Sequence, residues 1–310
     1  MFKRIALFVF APAFALLAAL GLYNRNPAPL DIASFEALYA APAPKPSGAR
    51  RVFHLGHSLV GRDMPAMLAQ LAGEGHDYAS QLGWGATLQS HWDPDIPING
   101  FDAENAHDKY RDAREAVKSG DYDALILTEM VEIKDAIAYF DSAAMLYNWA
   151  NAAQETAMPV YLYETWPPLD DPEGWRMRLD VDLGTYWEGQ IMRPALAMTD
   201  PPTPIYLIPG GQVMAAFADA LEAQGPVGPL TTYADLFSDN IHFNDYGAYL
   251  IALTHYAVLY QQSPVGLPYS LQRADGSLAQ DPGLEAARLM QETVWNVVTS
   301  LPRTGVPSQY

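Results

Sequence analysis

Short apolar runs alternating with longer amphipathic stretches constrain this chain more than any other feature. Strand candidates are Val52–Leu55, Tyr78–Leu82, Ala124–Thr128, Val160–Glu164 and Ile205–Ile208. Helix candidates are Met64–Ala72, Ala103–Lys118, Ala136–Ala157, Gln212–Ala223, Tyr246–Gln261 and Leu284–Ser300. The third and last strand runs are apolar throughout, as strands covered on both faces must be. Strands that alternate with helices need crossover connections, and right-handed crossovers build a parallel sheet with helices on each face. The pattern predicts a three-layer α/β/α domain around a five-stranded, mostly parallel sheet. Gly120 and Gly225 read as helix stops, and Asp281-Pro282 as an N-cap followed by proline at the first helical position.

The N-terminal segment carries a different signal. Lys3 and Arg4 precede an uncharged run of 18 residues from Ile5 to Leu22, at the border between a signal-peptide core and a membrane span. With the basic pair on the cytoplasmic side, the remainder is expected to be exported, periplasmic or anchored facing outside the cytoplasm. The organisation expected is a signal peptide or anchor over 1–25, a Pro/Ala-rich spacer over 26–49 and one catalytic domain over 50–310. Within the spacer, Leu30 to Tyr39 is apolar enough for a short helix on the domain surface. Eighteen Lys and Arg against 36 Asp and Glu give a net charge of −18, which excludes the basic footprint that nucleic-acid partners require. The absence of cysteine excludes thiol nucleophiles, disulfides and cysteine-ligated metals.

Two segments carry chemistry. The first strand runs into Gly56-His57-Ser58-Leu59-Val60-Gly61, and Asp239-Asn240-Ile241-His242 precedes the helix candidate at Tyr246. A serine hydroxyl becomes a nucleophile when an imidazole takes its proton, and a carboxylate must orient that imidazole. Ser58 falls at a strand-to-helix turn, where α/β folds expose reactive groups at the carboxyl end of the sheet. Asp239 and His242 share one loop, so a single turn can present both.

On these residues, from Arg51 to Gln262, the chain resembles the SGNH (GDSL-type) hydrolase superfamily of esterases and lipases, whose sheet is flavodoxin-like. The resemblance implies Ser58 as nucleophile, Asp239 as orienting acid and His242 as base, with no cofactor and no metal. It also implies that Gly85, in Gly83-Trp84-Gly85-Ala86-Thr87, donates a backbone N–H to the oxyanion beside that of Ser58. There are two departures. His57 stands where the family has Asp or Asn, and the third strand runs into Glu129-Met130-Val131-Glu132 with no oxyanion-hole asparagine.

The implied activity is an exported serine esterase acting on small acyl esters, acetyl above all, carried by a small-molecule or carbohydrate alcohol. An O-acetyltransferase using the same residues, or a tethered, non-catalytic saccharide-binding protein on the same fold, are the alternatives. His57, Trp84, Glu129, Glu132 and Trp166 are the expected pocket residues. Of the other histidines, His54 and His255 read as core, His76 and His107 as surface, and His91 as a minority candidate for the site. No histidine spacing suggests a metal. Trp84, Trp92, Trp166, Trp175 and Trp187 invite sugar stacking, although core packing suits at least half of them. Asp170, Asp171, Asp180 and Asp182 read as solvated loop charge.

Overall fold

Residues 28–309 are described in a computed structural model. The apolar run Ile5–Leu22 lies outside them, and no described helix is long and apolar enough to cross a membrane. Strands β1 (Arg51–His57), β2 (Asp77–Gly83), β3 (Ala124–Leu127), β4 (Val160–Glu164) and β5 (Tyr206–Pro209) form one five-stranded sheet in the order β2-β1-β3-β4-β5. Every pairing is parallel, so the expected α/β/α architecture holds.

Side chains alternate along each strand into two apolar layers. Val52, Ile126, Tyr161 and Ile208 pack against the helices Asp63–Ala72, Gly210–Gln224, Asp245–Tyr260 and Gly283–Ser300. Phe53, Leu55, Leu127 and Leu162 face Ala113–Ser119 and Ser142–Gln154 on the other side. This period-2 alternation within continuous apolar runs is what burial on both faces demands. The strand order reverses direction between β1 and β3, the kind of switch point that leaves a crevice at the carboxyl ends of the strands. Ser58 is the first residue beyond β1, at that crevice.

Several expected helices are divided. Ala103–Lys118 separates into Phe101–Asn105 and Ala113–Ser119. Asn105 turns inward there to hydrogen-bond both backbone groups of Leu82, and the Asp112 carboxylate caps the second helix. Ala136–Ala157 breaks at Asp141, which adopts a left-handed conformation, leaving Ile133–Tyr139 and Ser142–Gln154. The polar segment after β4 contains the helix Trp175–Asp182, which continues into a wider π-helical run, Leu183–Met192. Its charge and interrupted apolar spacing hide that helix in the sequence.

The Pro/Ala-rich stretch expected as a spacer lies against the domain over its described part. Ile32–Ala37 forms the short helix anticipated within it. Phe35 and Tyr39 are buried in the second apolar layer, and Tyr39 donates to the Ile205 carbonyl at 2.7 Å. The Arg303 guanidinium sits 4.7 Å over the Phe35 ring, and the Ala43 amide donates to Gly305. Removing residues 28–49 should therefore cost about 3 kcal/mol or more, the order expected for stripping two aromatics from a core. Denaturant midpoints of chains beginning at residue 28 and at residue 50 test this, and equal midpoints would contradict it.

Candidate active site

The nucleophile turn is built from buried neighbours. Leu59 and Val60 are fully buried, and the amides of Val60 and Gly61 both donate to the His57 carbonyl, tightening the chain around Ser58. The His57 ring lies beneath. Its Nδ1 accepts from the Leu59 amide and its Nε2 meets the Glu129 carbonyl at 2.8 Å, so one neutral tautomer satisfies both bonds. Burial lowers its pKa to about 4 against the opposing pull of that carbonyl. His91 does the same from the next element. Its Nε2 reaches the Gly56 carbonyl at 2.9 Å and its Nδ1 meets Gln81, and burial again pushes its pKa to about 4. Two neutral imidazoles thus hold the backbone on either side of the nucleophile.

The acid and base arrive on the loop before the helix Asp245–Tyr260. A bridge between Phe237 and Phe243 closes that loop. Asp239 Oδ1 accepts the amides of Ile241 and His242, while Oδ2 lies 2.7 Å from His242 Nδ1. With Nδ1–H donating to the carboxylate, the Nε2 lone pair faces the Ser58 hydroxyl at 2.9 Å. The His242 amide, then its ring, then the Ile241 amide hold the Asp239 carboxyl at about 2. The carboxylate is therefore ionised at neutral pH.

The acid–base loop rests on the segment after β4. Trp166 Nε1 donates to the Ile241 carbonyl at 2.9 Å, the Leu169 amide donates to the Asn240 carbonyl, and Asn240 Nδ2 donates to Asp170. That segment is pinned in turn by Arg178, which is only 4% exposed and pairs with Asp171, Asp182 and Glu132.

The structure brings Ser58, Asp239 and His242 together and sets the turn carrying Gly85 beside them, because His57 and Gly83 are in register. Gly85 has φ +58° and open space where a side chain would stand. The expected pocket fares differently. His57 and Trp166 are buried beneath the site as supports. Glu129 is fully buried, and its Oε1 accepts the amides of Leu88 and Met130. Glu132 caps the helix Ile133–Tyr139 and pairs with Arg178. Both glutamates are thus engaged in contacts of the scaffold. Only Trp84 is exposed. Asp171 and Asp182 are partners of a buried arginine, not solvated charge, and His76 meets the Tyr260 hydroxyl at 2.7 Å. Motif and spacing point to neither Gln81 nor Arg178, give His91 little weight, and read Asp170 only as solvated charge, whereas it accepts from Asn240. An arginine among acids in a polar stretch was the one available signal.

Proton transfer from Ser58 to His242, with Asp239 stabilising the imidazolium, is the chemistry these distances allow. A scan against protein-family models finds no match, and no curated protein matches. Among solved structures, a DUF4886 family protein from Bacteroides uniformis superposes with a TM-score of 0.47 at 15% identity, covering 80% of this chain and 94% of that one. A gut microbial diltiazem-metabolizing enzyme superposes with a TM-score of 0.39 at 13% identity, covering 71% of this chain and 49% of that one.

Burial raises the Glu129 carboxyl to about 7 against the amides it accepts. Its folded pKa thus exceeds its unfolded one, so its contribution to stability is full below the unfolded value and is lost as pH rises through about 7. Glu129→Gln fixes the neutral form and keeps an acceptor. Its melting temperature relative to the parent should climb between pH 5 and pH 8, roughly the interval spanning those two values. A difference that stays flat across the interval would show that Glu129 does not titrate as a buried acid. Glu129→Ala leaves two buried amides without their acceptor and should cost about 1–3 kcal/mol at low pH, a deficit that shrinks as the parent's carboxyl ionises.

Proposed function

We propose that the protein is a serine esterase of the SGNH kind that hydrolyses small acyl esters, acetyl above all, outside the cytoplasm. One observation carries the reading: a relay of 2.9 Å from Ser58 to His242 and 2.7 Å from His242 to Asp239, set on the turn at the carboxyl end of β1. A buried packing cluster has no need to align a hydroxyl, an imidazole lone pair and an ionised carboxylate in that order. Export rests on Lys3, Arg4 and the run Ile5–Leu22.

His242 Nε2 removes the Ser58 proton as Oγ bonds to the acyl carbon. The negative charge that develops on the carbonyl oxygen is met by the amides of Ser58 and Gly85. His242 then returns the proton to the leaving alkoxide, and the alcohol departs. Water enters, loses a proton to His242 and attacks the acyl-enzyme, which frees the carboxylic acid and regenerates Ser58. Asp239 remains ionised throughout, consistent with the amides that hold its carboxyl at about 2.

Ser58→Ala should lower kcat on an aryl acetate by about 10⁴- to 10⁶-fold while leaving the melting temperature near the parent's. Asp239→Asn should cost about 10⁴-fold, because the imidazole loses its oriented tautomer. A fluorophosphonate should add to Ser58 in the parent and to nothing in Ser58→Ala, read as a mass shift on that peptide. Full turnover by a folded Ser58→Ala protein would end the proposal.

A further inference from the structure

We propose that the indole of Trp84 is a docking platform for a sugar ring, and that the esters presented to Ser58 are O-acyl groups on a neutral saccharide. This rests on the esterase reading and names its substrate class.

Trp84 belongs to the turn that carries Gly85, and the register of His57 with Gly83 sets this turn next to the nucleophile. It is 55% exposed, whereas Trp166, Trp175 and Trp187 are 4% exposed or less. An exposed indole is usually free to turn, but this one is fixed. Its Nε1 donates to Glu104 at 2.6 Å and its amide donates to the Asn99 carbonyl at 2.7 Å. Its inner surface lies against Gly100, where a Cβ would stand 2.2–2.6 Å from Cδ2, Cε2 and Cγ. Only glycine permits that approach, and Gly100 also has φ +67°. With one side closed and the N–H satisfied, what remains is a rigid apolar surface open to solvent beside the site.

A flat apolar surface with polar groups at its edge suits the C–H face of a pyranose, whose hydroxyls project around the ring. The Glu104 carboxylate on the rim supplies acceptor oxygens for those hydroxyls. A purely hydrocarbon alcohol would strip water from them without replacement. The net charge of −18 disfavours uronate or sialate polymers and selects a neutral chain. The site is open enough for a polymer, since the side chains of Asp239 and His242 are 52% and 44% exposed.

The test has a binding arm and a turnover arm, both on the full chain. In the first, an O-acetylated xylo-oligosaccharide is titrated calorimetrically into Ser58→Ala and into Ser58→Ala/Trp84→Ala. Affinity should fall about tenfold or more on loss of the indole, the loss typical of truncating an anchoring tryptophan. Equal affinities, or no binding by Ser58→Ala, would overturn the platform. In the second arm, the ratio of kcat/KM for that oligosaccharide to kcat/KM for ethyl acetate is compared between the parent and Trp84→Ala. It should fall by about tenfold, mainly through KM, with Trp84→Phe recovering part of it. An unchanged ratio with both esters hydrolysed refutes the platform and leaves the esterase standing. If the parent cleaves neither ester, the esterase reading fails and the binding arm still decides. A larger loss on naphthyl acetate than on the saccharide would assign the surface to aromatic alcohols instead.

Discussion

The hydrogen bond between Ser58 and His242 joins residues 184 positions apart, and the rest of the site serves to keep that distance. The two partners are held by different means. Ser58 stands on a turn whose neighbours are wholly buried, so the packing around Leu59 and Val60 positions it. Asp239 and His242 are about half exposed and receive little help from a core. Their loop is fixed through two backbone carbonyls, bonded by Trp166 and the Leu169 amide, and through the Asn240 side chain, which donates to Asp170. Half-exposed catalytic groups need this arrangement, because exposed side chains keep their rotamer freedom unless hydrogen bonds remove it. The Arg178 cluster extends the support one step outward, joining the segments after β3 and β4 to the helix at Trp175.

Beneath the open face, burial works against the charged forms of the polar groups. His57 and His91 each accept on one ring nitrogen and face a carbonyl with the other, and burial keeps both uncharged. Glu129, and Glu164 at the end of β4, are shifted upward by the same cause, Glu164 to about 8. A charge fixed under Ser58 would either oppose the growing oxyanion or compete with it for the nearby amides. Neutral groups can order the backbone without adding such a field. The buried cluster around Arg178 sets one guanidinium against the three carboxylates of Glu132, Asp171 and Asp182.

How much was legible in the sequence follows from which interactions are local. The strands were readable because two-sided burial leaves an unbroken apolar run, and Ser58 was readable because a strand-to-helix turn has its own composition. Asp239 and His242 bond to each other within three residues, so their spacing carried the geometry. The divided helices were not legible, because Asn105 and Asp141 end them through contacts or backbone conformations that periodicity does not encode. His91 illustrates the same limit. Nothing in its neighbourhood in sequence points to Gly56, and only the folded register of β1 with β2 brings them together. The tryptophans divided as packing required, with Trp84 packed on Gly100 on one side and exposed on the other.

Glu129 stands where the proposed esterase reading expects an asparagine, and its contacts have a physical logic of their own. An asparagine there would offer one side-chain donor to the oxyanion, a contribution of about 2.7–4 kcal/mol in comparable sites. The glutamate offers none, and instead accepts the amide of Leu88 at the start of the helix that follows the Gly85 turn. Its carbonyl meanwhile meets the His57 ring under the nucleophile. A single buried residue therefore couples the turn that carries Ser58 to the turn that carries Gly85. Preorganised backbone donors need no reorganisation as charge develops, so fixing two of them recovers part of what a missing third would provide. The same coupling means that any change which moves Glu129 should disturb Ser58 and Gly85 together.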